Sequence, residues 1–323
     1  MRVLITGGAG FIAGHLIGHL SGLGVEVFAS RRPGGKTVAG EKEGKVRAID
    51  CELTDAASVQ SLVAEARPDR IFHLAAQSSV SDSWRSPDDA IRANVLPAIH
   101  LFEAVRRSAP GARVLTAGSA QEYGRVSPEE PPVREDRRLE PVSPYGVAKA
   151  AQDLAACQYG LGGLHVVRVR SFNVIGPGQD ERFAASEFAR QTARIEAGLQ
   201  EPSVSAGNLD SVRDFTDARD AARALWLALE KGEAGEAYNL CSGKGRAVRE
   251  ILDFFRRSSR VKFGVELDPA RMRPAETPVL VGDPRKLMER TGWAPSFTFE
   301  ETLTAILEDW RGKVAHSGVQ GKG

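Results

Sequence analysis

The first half of the chain alternates between short runs of consecutive apolar residues and longer segments whose apolar residues recur every three or four positions. Such runs are typical of strands buried on both faces, and such segments are typical of helices that pack along one face. The pattern predicts strands at residues 2–6, 25–30, 45–49, 70–76, 113–119 and 164–171. It predicts helices between them at residues 11–24, 57–68, 88–108 and 145–159. Strands and helices that alternate in this order form a doubly wound parallel sheet.

The pattern becomes irregular after residue 171, where residues 173–181 and 205–215 are rich in loop-forming residues. A helix is predicted again at residues 217–232 and a strand at residues 236–242, and both are expected to rejoin the first sheet. We therefore expect an α/β fold, with a Rossmann-type doubly wound parallel sheet and a smaller mixed α/β substrate-binding domain.

The expected domain bounds follow from this division of the chain. They are residues 1–170 and 215–241 for the Rossmann domain, and residues 171–214 and 242–312 for the substrate-binding domain. Residues 313–323 are polar and rich in glycine, and they are expected to form a disordered tail.

The composition excludes some classes of partner. The 323 residues carry a formal net charge of +1, which argues against a broad surface for nucleic acid. No apolar run approaches the length of about 20 residues that spans a bilayer, so no membrane partner is expected. Cys51, Cys157 and Cys241 are scattered, which favours a reducing, cytoplasmic compartment over disulfides. His15 and His19 share a helical face but lack further ligands nearby, so no metal site is predicted.

A glycine-rich turn follows the first predicted strand in the segment TGGAGFIAGHL. Gly7 permits a tight turn, and Gly10 lets the backbone approach a diphosphate at the helix N-terminus. Ala13 supplies the small side chain that packing of the helix on the sheet needs. Because the motif lies between a predicted strand and a predicted helix, it predicts a dinucleotide site more strongly than a structural glycine turn.

The second predicted strand ends in Ser30-Arg31-Arg32. A site that prefers NAD usually carries an acidic residue at this place, which bonds the ribose hydroxyls. Two guanidinium groups suit the 2′-phosphate of NADP, so NADP(H) is favoured as the cofactor and NAD(H) is the second choice. The alternative interpretation is a solvated charged loop.

Tyr145 and Lys149 lie four residues apart in the segment SPYGVAKAAQ, which places both on one face of a predicted helix. This spacing suits a catalytic acid and its helper, but it is also found in ordinary pairs on helix surfaces. The spacing alone leaves both interpretations open.

Several segments occur in the order found in one enzyme family, namely GGAGFIAG, HLAAQSSV, RANV, TAGSAQEYG, SPYGVAK and RSFNVIGPGQ. By these segments the chain resembles the extended short-chain dehydrogenase/reductase family, over nearly its whole length to about Trp310. The segments SSVSDSW, GNLDSVRDFTDARD and RMRPAETPVLVGDPRKL narrow the resemblance to members that reduce GDP-4-keto-6-deoxy-D-mannose to GDP-D-rhamnose. The chain also resembles the related GDP-mannose 4,6-dehydratases.

The resemblance implies that Tyr145 transfers a proton, that Lys149 bonds the nicotinamide ribose, and that Ser119 hydrogen-bonds the substrate oxygen. Lys149 and the oxidised nicotinamide ring are also expected to favour the phenolate and to lower the pKa of Tyr145. Glu52 departs from the family, which usually carries Asp at this adenine-facing position. The implied cofactor site comprises Gly7, Gly10, Phe11, Ile12, Arg31, Arg32, Glu52, Leu53, Leu74, Ala75, Ala76, Asn94, Tyr145 and Lys149.

For a GDP-sugar substrate the resemblance implies contacts from Gln121, Glu122, Asn173, Arg213, Arg273 and Glu276. Arg213 resembles the arginine that clamps the diphosphate, which suits the bidentate geometry of a guanidinium group. Arg273 and Glu276 resemble residues that hold the nucleotide or its ribose. The alternative for Arg213 is a structural salt bridge with Asp214, and for Arg273 one with Glu276. The resemblance further implies a homodimer.

Gln121 separates two reactions within the resemblance. The 4,6-dehydratases carry a glutamate two residues after the catalytic Ser or Thr, which serves the elimination of water, and an amide cannot exchange that proton at neutral pH. Glu122 is adjacent, but it would point to the opposite face if the strand continued. The sequence therefore favours reduction over dehydration. A nucleotide-sugar 4-epimerase and a non-catalytic NADP-sensing protein are further alternatives.

Overall fold

The computed structural model describes residues 1–130, 132–269 and 277–320. Its strands in chain order are β1 (Arg2–Thr6), β2 (Glu26–Arg31), β3 (Val46–Asp50), β4 (Arg70–His73), β5 (Arg113–Ser119), β6 (His165–Ser171), β7 (Asn173–Ile175), β8 (Ser203–Ala206), β9 (Val212–Asp217), β10 (Ala237–Leu240), β11 (Gly245–Ala247), β12 (Gly264–Leu267) and β13 (Val279–Leu280). Its α-helices are α1 (Phe11–Leu20), α2 (Ala56–Ala66), α3 (Val80–Arg85), α4 (Pro87–Ser108), α5 (Pro144–Leu161), α6 (Ala184–Glu196), α7 (Ala218–Lys231), α8 (Val248–Ser258), α9 (Arg285–Thr291) and α10 (Phe299–Gln320). A short 3-10 helix covers Ala120–Glu122.

Parallel strands form the main sheet in the order β3, β2, β1, β4, β5, β6, β10. The chain runs outward from β1 to β3 and then in the other direction from β4 to β6, so the order reverses between β1 and β4. The loops that leave the carboxyl ends of these two strands diverge to opposite faces. A crevice at such a reversal is the usual ligand site of an open α/β sheet.

Helices cover both faces of this sheet over buried apolar layers. On one face α1 packs against α7, and Leu16 and Leu225 join the cluster that contains Val3 of β1. On the other face α4 packs against α2 and α5, where Val59 and Leu101 are buried. Full burial of one such side chain stabilises the fold by about 1.5–3 kcal/mol, so these layers hold the strand ends at the crevice in place.

A smaller group of strands lies outside the main sheet. β9 pairs with β7 and β13 in parallel and with β11 in antiparallel, and β8 pairs with β12. Phe188 of α6, Phe255 of α8 and Leu307 of α10 belong to one buried cluster beside these strands. The predicted fold class, a Rossmann-type sheet with a smaller mixed α/β part, is confirmed by this architecture. The residue bounds of the two domains stay a prediction.

Two elements differ from the sequence pattern. β4 ends at His73 instead of residue 76, because the chain leaves the sheet there and Ala75 packs against Gly7. α10 continues to Gln320, through most of the segment predicted to be a disordered tail. Lys313 pairs with Asp309 one turn earlier at 2.6 Å, and this spacing supports a helix. Among the described residues, each helix is too short or too polar to cross a bilayer.

Candidate active site

The turn after β1 has the geometry of a diphosphate cradle. Gly7 has a φ of +71°, and a Cβ atom there would lie 2.8 Å from the Cα of Ala75. A Cβ at Gly10 would make a tight contact of 3.0 Å with the carbonyl oxygen of Gly7, whereas Gly7 requires glycine both for its positive φ and for the close approach of Ala75. The first turn of α1 carries no acidic residue, and the N–H groups of Phe11 and Ile12 have no partner in the part of the chain that the structure describes. These donors and the missing side chains fit the diphosphate of a dinucleotide.

The loop that follows β4 forms the other wall of the crevice. The Thr6 hydroxyl lies 2.8 Å from Nδ1 of His73, which ties the carboxyl ends of β1 and β4 together. The side chain of Thr6 also accepts a long hydrogen bond of 3.5 Å from the N–H of Ala75. Ala75 therefore lies directly beside the glycine turn, with Leu74 and Ala76 next to it in the chain, and their contacts with the cofactor stay a prediction.

Arg31 and Arg32 have different surroundings. Arg31 donates to Asp50 at 2.7 Å and to Glu41 at 2.8 Å, so its guanidinium group already has two carboxylate partners. The side chain of Arg32 is exposed and has no hydrogen bond or ion pair with any residue described. The structure therefore leaves Arg32 available for a phosphate and engages Arg31 within the fold.

Glu52 and Leu53 follow β3 and lie close to the start of α2. The carboxylate of Glu52 accepts the N–H and the hydroxyl of Thr54 at 3.0 and 2.7 Å, which lowers the pKa of Glu52. Leu53 is half-buried against the core, and its carbonyl oxygen contacts a ring nitrogen of His100 at 3.1 Å. One carboxylate oxygen of Glu52 accepts both hydrogen bonds from Thr54, and the positive charge of Arg32 also lowers the pKa of this carboxyl.

Ser119 ends β5, and Tyr145 lies in the first turn of α5. Ser143 caps this helix by accepting the N–H of Gly146, and the Ser83 hydroxyl of α3 accepts the N–H of Tyr145, both at 3.1 Å. Burial raises the pKa of Tyr145 to about 12, and a hydrogen bond with the Ser119 side chain opposes the rise. Tyr145, which is expected to transfer the proton, and Ser119, which is expected to bond the substrate oxygen, therefore lie together.

The ammonium group of Lys149 is bound at β5 and within its own helix. Its Nζ donates to the carbonyl oxygen of Ala117 and to Oε1 of Gln152, both at 2.6 Å. Burial lowers the pKa of Lys149 to about 8, and the charges of Glu122 and Asp153 oppose that change. Burial of the phenol dominates the pKa of Tyr145 in this structure, and the lowering expected from Lys149 together with the oxidised nicotinamide ring stays a prediction.

Asn94 is buried on α4 beneath the loop after β4. Its Nδ2 donates to the carbonyl oxygens of Ala90 at 2.8 Å and Gln77 at 3.2 Å. Its Oδ1 is buried without a hydrogen-bond partner among the residues that the structure covers. Asn94 therefore holds the loop that continues from Ala76 and supports the crevice from below.

The turn after Ser119 changes the interpretation of Glu122. β5 does not continue: the 3-10 helix folds back, and Glu122 is fully buried beneath the strand end. Its Oε1 accepts the N–H of Ser119 at 2.6 Å. Gln121 is only half-buried, and its N–H donates to the Ser119 hydroxyl at 3.2 Å. The prediction that Glu122 contacts substrate is not supported, because its carboxylate is enclosed by the protein.

Arg213 of β9 is half-buried without a carboxylate partner among the described residues. Its Nη1 donates to the carbonyl oxygens of Val212 at 2.8 Å and Pro278 at 3.1 Å, and burial lowers its pKa. Asp214 instead accepts the N–H groups of Ser242 and Gly243 at 2.7 and 2.9 Å. The alternative of a salt bridge between Arg213 and Asp214 is therefore wrong.

The remaining substrate-side predictions have different outcomes. Asn173 is exposed in β7, which pairs with β9, the strand that carries Arg213. Arg273 and Glu276 lie outside the described residues. His15 contacts the carbonyl oxygen of Pro177 at 2.9 Å, and within the described ranges no cluster of residues suits a metal ion.

A model of the family described as GDP-mannose 4,6-dehydratase matches residues 4–306. The chain belongs to this family. A GDP-6-deoxy-D-mannose reductase of Pseudomonas aeruginosa is 33% identical over 97% of this chain and 98% of the relative. A GDP-mannose 4,6-dehydratase of Yersinia enterocolitica is 32% identical over 79% of this chain and 76% of the relative.

Solved structures agree with this membership of the GDP-mannose 4,6-dehydratase family. RMD from Pseudomonas aeruginosa, complexed with NADPH, superposes with a TM-score of 0.84 at 30% identity, over 97% of this chain and 100% of that chain. The UDP-glucose 4-epimerase of Thermus thermophilus, in complex with NAD, gives a TM-score of 0.85 at 32% identity, over 97% and 99%. The resemblance inferred from the sequence motifs is confirmed.

Three residues that contact the predicted site residues were not predicted from the sequence. Ser83 lies in a segment noted only for its resemblance, and Gln152 lies one turn after Lys149, a spacing that could have indicated a partner. Gln77 contributes only its carbonyl oxygen to Asn94, so no side-chain signal could have indicated it.

Proposed function

We propose that this protein is a nicotinamide-dependent oxidoreductase that reduces the 4-keto group of GDP-4-keto-6-deoxy-D-mannose and forms GDP-D-rhamnose. The observation that carries the proposal is the turn after Ser119, where Gln121 replaces the glutamate of the dehydratases and Glu122 is enclosed. Dehydration needs a base at that place, and reduction needs only a hydride and a proton. The similarity to the Pseudomonas aeruginosa reductase supports the same choice.

Tyr145, Ser119 and Lys149 have different roles in the proposed reduction. When bound, the nicotinamide supplies a hydride to C4 of the sugar. Tyr145 gives its hydroxyl proton to the carbonyl oxygen, so the C=O bond becomes CH–OH and a phenolate remains. The oxygen of the Ser119 hydroxyl accepts the N–H of Gln121, and its proton is the proposed donor to the substrate oxygen once substrate is bound. Lys149, held in place by the carbonyl oxygen of Ala117, is the proposed contact to the nicotinamide ribose.

NADPH is proposed as the preferred cofactor. The exposed guanidinium group of Arg32 suits a 2′-phosphate at the end of β2, and the similar RMD structure contains NADPH. Arg31 contributes through Asp50 and Glu41, by shaping the loop that presents Arg32. NADH is the second choice, since the UDP-glucose 4-epimerase of the same fold contains NAD.

The diphosphate of the GDP-sugar is proposed to bind Arg213. A half-buried guanidinium group that meets only carbonyl oxygens among the described residues, and whose pKa burial lowers, gains from an anionic partner. Asn173 on the neighbouring strand β7 is the proposed polar contact beside it. The predicted division into a Rossmann domain and a substrate-binding domain is kept as part of this proposal.

A cytoplasmic homodimer is the proposed state of the protein. Apolar side chains are exposed on the outer surfaces of the packed helices α4 and α5, and a second copy would cover them; they are Ile91, Leu96, Val147, Leu154 and Leu161. Cys51, Cys157 and Cys241 are all free, which suits a reducing compartment.

Product analysis tests the proposed function. The protein is incubated with NADPH and the 4-keto sugar nucleotide, and the product is identified by chromatography and NMR. We expect GDP-D-rhamnose in an amount equal to the NADPH consumed. Recovery of the 4-keto sugar nucleotide unchanged would contradict the proposed function.

A further inference from the structure

Gln152 is buried beside Lys149, one helical turn further along α5. Gln152 is 1% exposed and Lys149 is 3% exposed, so the protein encloses the contact between them. Oε1 of Gln152 accepts a hydrogen bond from Nζ of Lys149 at 2.6 Å, and their spacing places both side chains on one face of the helix. The two side chains therefore form a buried donor and acceptor pair within α5.

This contact orients the amide of Gln152. An ammonium group can only donate, so the amide must turn its oxygen toward Lys149. Nε2 of Gln152 is then buried without a hydrogen-bond partner among the residues that the structure describes. A buried N–H group without an acceptor costs free energy, and an apolar side chain of the same length would avoid that cost. The presence of glutamine here argues for a role of its oxygen beyond packing.

The neighbouring carboxylate on α5 is engaged elsewhere. Asp153 accepts hydrogen bonds from Arg168 at 2.6 Å and from Arg170 at 2.9 Å. In the described part of the chain, the ammonium group of Lys149 instead donates to a backbone carbonyl oxygen of β5 and to the amide of Gln152. Both acceptors are uncharged, so they hold the ammonium group without forming an ion pair that would compete with a bound ligand.

The ammonium group of Lys149 has three N–H donors. The carbonyl oxygen of Ala117 on β5 and Oε1 of Gln152 on α5 accept two of them, each at 2.6 Å. Because these acceptors belong to different elements, together they fix the position of Nζ. The third N–H has no acceptor among the described residues, and a hydroxyl group of a ribose is a suitable partner for it.

We propose that Gln152 is a positioning residue, whose amide oxygen holds the ammonium group of Lys149 so that its remaining N–H can meet the nicotinamide ribose. Ala117 acts through its backbone, so Gln152 is the part of this arrangement that a substitution can remove. Without Gln152, the side chain of Lys149 has to be ordered when the cofactor binds. The proposal rests on the proposed function only in taking NADPH as the cofactor and Lys149 as the contact to its nicotinamide ribose.

Gln152→Met keeps the length of the side chain and removes the acceptor. The dissociation constant of NADPH is measured by nicotinamide fluorescence without any sugar. That of adenosine 2′,5′-bisphosphate, which lacks the nicotinamide ribose, is measured by calorimetry. We expect Q152M to weaken NADPH about 2- to 10-fold, the effect of ordering one long side chain on binding, and to leave the bisphosphate unchanged. Gln152→Asn, which withdraws the oxygen by one methylene group, should do the same and serves if Q152M does not fold.

Gln191→Met is the matched control. Gln191 is also a buried glutamine in a helix, 3% exposed on α6. Its amide donates to the carbonyl oxygen of Ser205 at 3.0 Å and accepts the N–H of Ser205 at 2.9 Å. The loss of this amide removes buried hydrogen bonds without touching Lys149, so Q191M is expected to bind NADPH as the unmodified protein does.

Lys149→Met shows whether Gln152 acts through the lysine. In the K149M background, Q152M should cause no further loss of NADPH affinity, because the group that Gln152 holds is gone. An equal loss in both backgrounds, a loss of bisphosphate affinity equal to that of NADPH, or unchanged NADPH affinity in Q152M would overturn the proposal. The expected pattern in a protein that does not reduce the 4-keto sugar would sustain this inference and reject the proposed function.

Discussion

The hydroxyl of Ser83 accepts a hydrogen bond from the backbone N–H of Tyr145 at 3.1 Å. Ser83 is itself fixed, because its hydroxyl donates to the carbonyl oxygen of Val80 at 2.6 Å within α3. The N–H of Tyr145 belongs to the first turn of α5, where helix donors lack partners inside the helix. The segment after β4 therefore fastens the helix start that carries the proposed proton donor.

Ser83→Ala is expected to leave the N–H of Tyr145 buried without its acceptor. We expect a loss of about 1–2 kcal/mol in the free energy of unfolding, together with lower turnover, because the helix start is no longer fixed. Urea denaturation and steady-state kinetics provide the measurements. Ser86→Ala is the control, since Ser86 precedes α4 without a side-chain capping bond. Equal free energies of unfolding for the two variants would contradict the proposed role of Ser83 at the start of α5.

Tyr145→Phe keeps the aromatic ring and removes only the hydroxyl. Turnover with the 4-keto sugar and NADPH should fall roughly 10²-fold or more, the usual contribution of a positioned proton donor. The NADPH dissociation constant should change little, since the fold and the cofactor crevice are kept. Near-normal reduction by this variant would exclude Tyr145 from the mechanism.

Arg32→Ala and Arg31→Ala should give different results, although the two residues are adjacent. Arg32→Ala is expected to weaken NADPH and leave NADH unchanged, because only NADPH has a 2′-phosphate. Arg31→Ala removes the partner of Glu41 and Asp50, so it should loosen the loop and affect both cofactors alike. The dissociation constants of NADPH and NADH are measured for both variants. An equal loss of NADPH and NADH affinity in Arg32→Ala would show that Arg32 does not bind the phosphate.

Arg213→Ala should raise KM for the GDP-sugar by about 10-fold or more, the magnitude of lost hydrogen bonds to a charged group. The KM for NADPH should stay the same. Arg246 pairs with Arg213 across β9 and β11, but it forms an ion pair with Glu250 at 3.0 Å. Arg246→Ala is therefore the matched control, and an equal rise of KM in both variants would indicate general electrostatic attraction instead of a clamp.

Much of the Rossmann sheet could be predicted because its local signals agree with the tertiary structure. β1 and β5 have the predicted bounds, and α4 begins and ends within one residue of its prediction. Apolar periodicity and glycine position are local properties, so a single sequence carries them. Ser119 and Tyr145 could also be predicted as neighbours, from the resemblance alone.

The environments of individual side chains could not be predicted in the same way. The two adjacent arginines look equivalent in the sequence, and only the fold brings Asp50 of β3 against Arg31 of β2. Glu122 was expected on the far side of a continuing strand, whereas the chain turns at Ser119 and buries it. Each outcome depends on contacts between residues that are distant in sequence or on a turn without a strong local signal.

Gln121 provides the most direct test of the proposed reaction. The unmodified protein is given either GDP-mannose with NADP, or the preformed 4-keto-6-deoxy sugar nucleotide with NADPH, and both reactions are followed by chromatography and absorbance. We expect little or no 4-keto product from GDP-mannose, because neither Gln121 nor the enclosed Glu122 can serve the elimination of water, while a Gln121→Glu variant should gain a trace of it. We expect steady NADPH consumption with the 4-keto sugar. Rapid dehydration of GDP-mannose with no net change in the cofactor would contradict the assignment as a reductase.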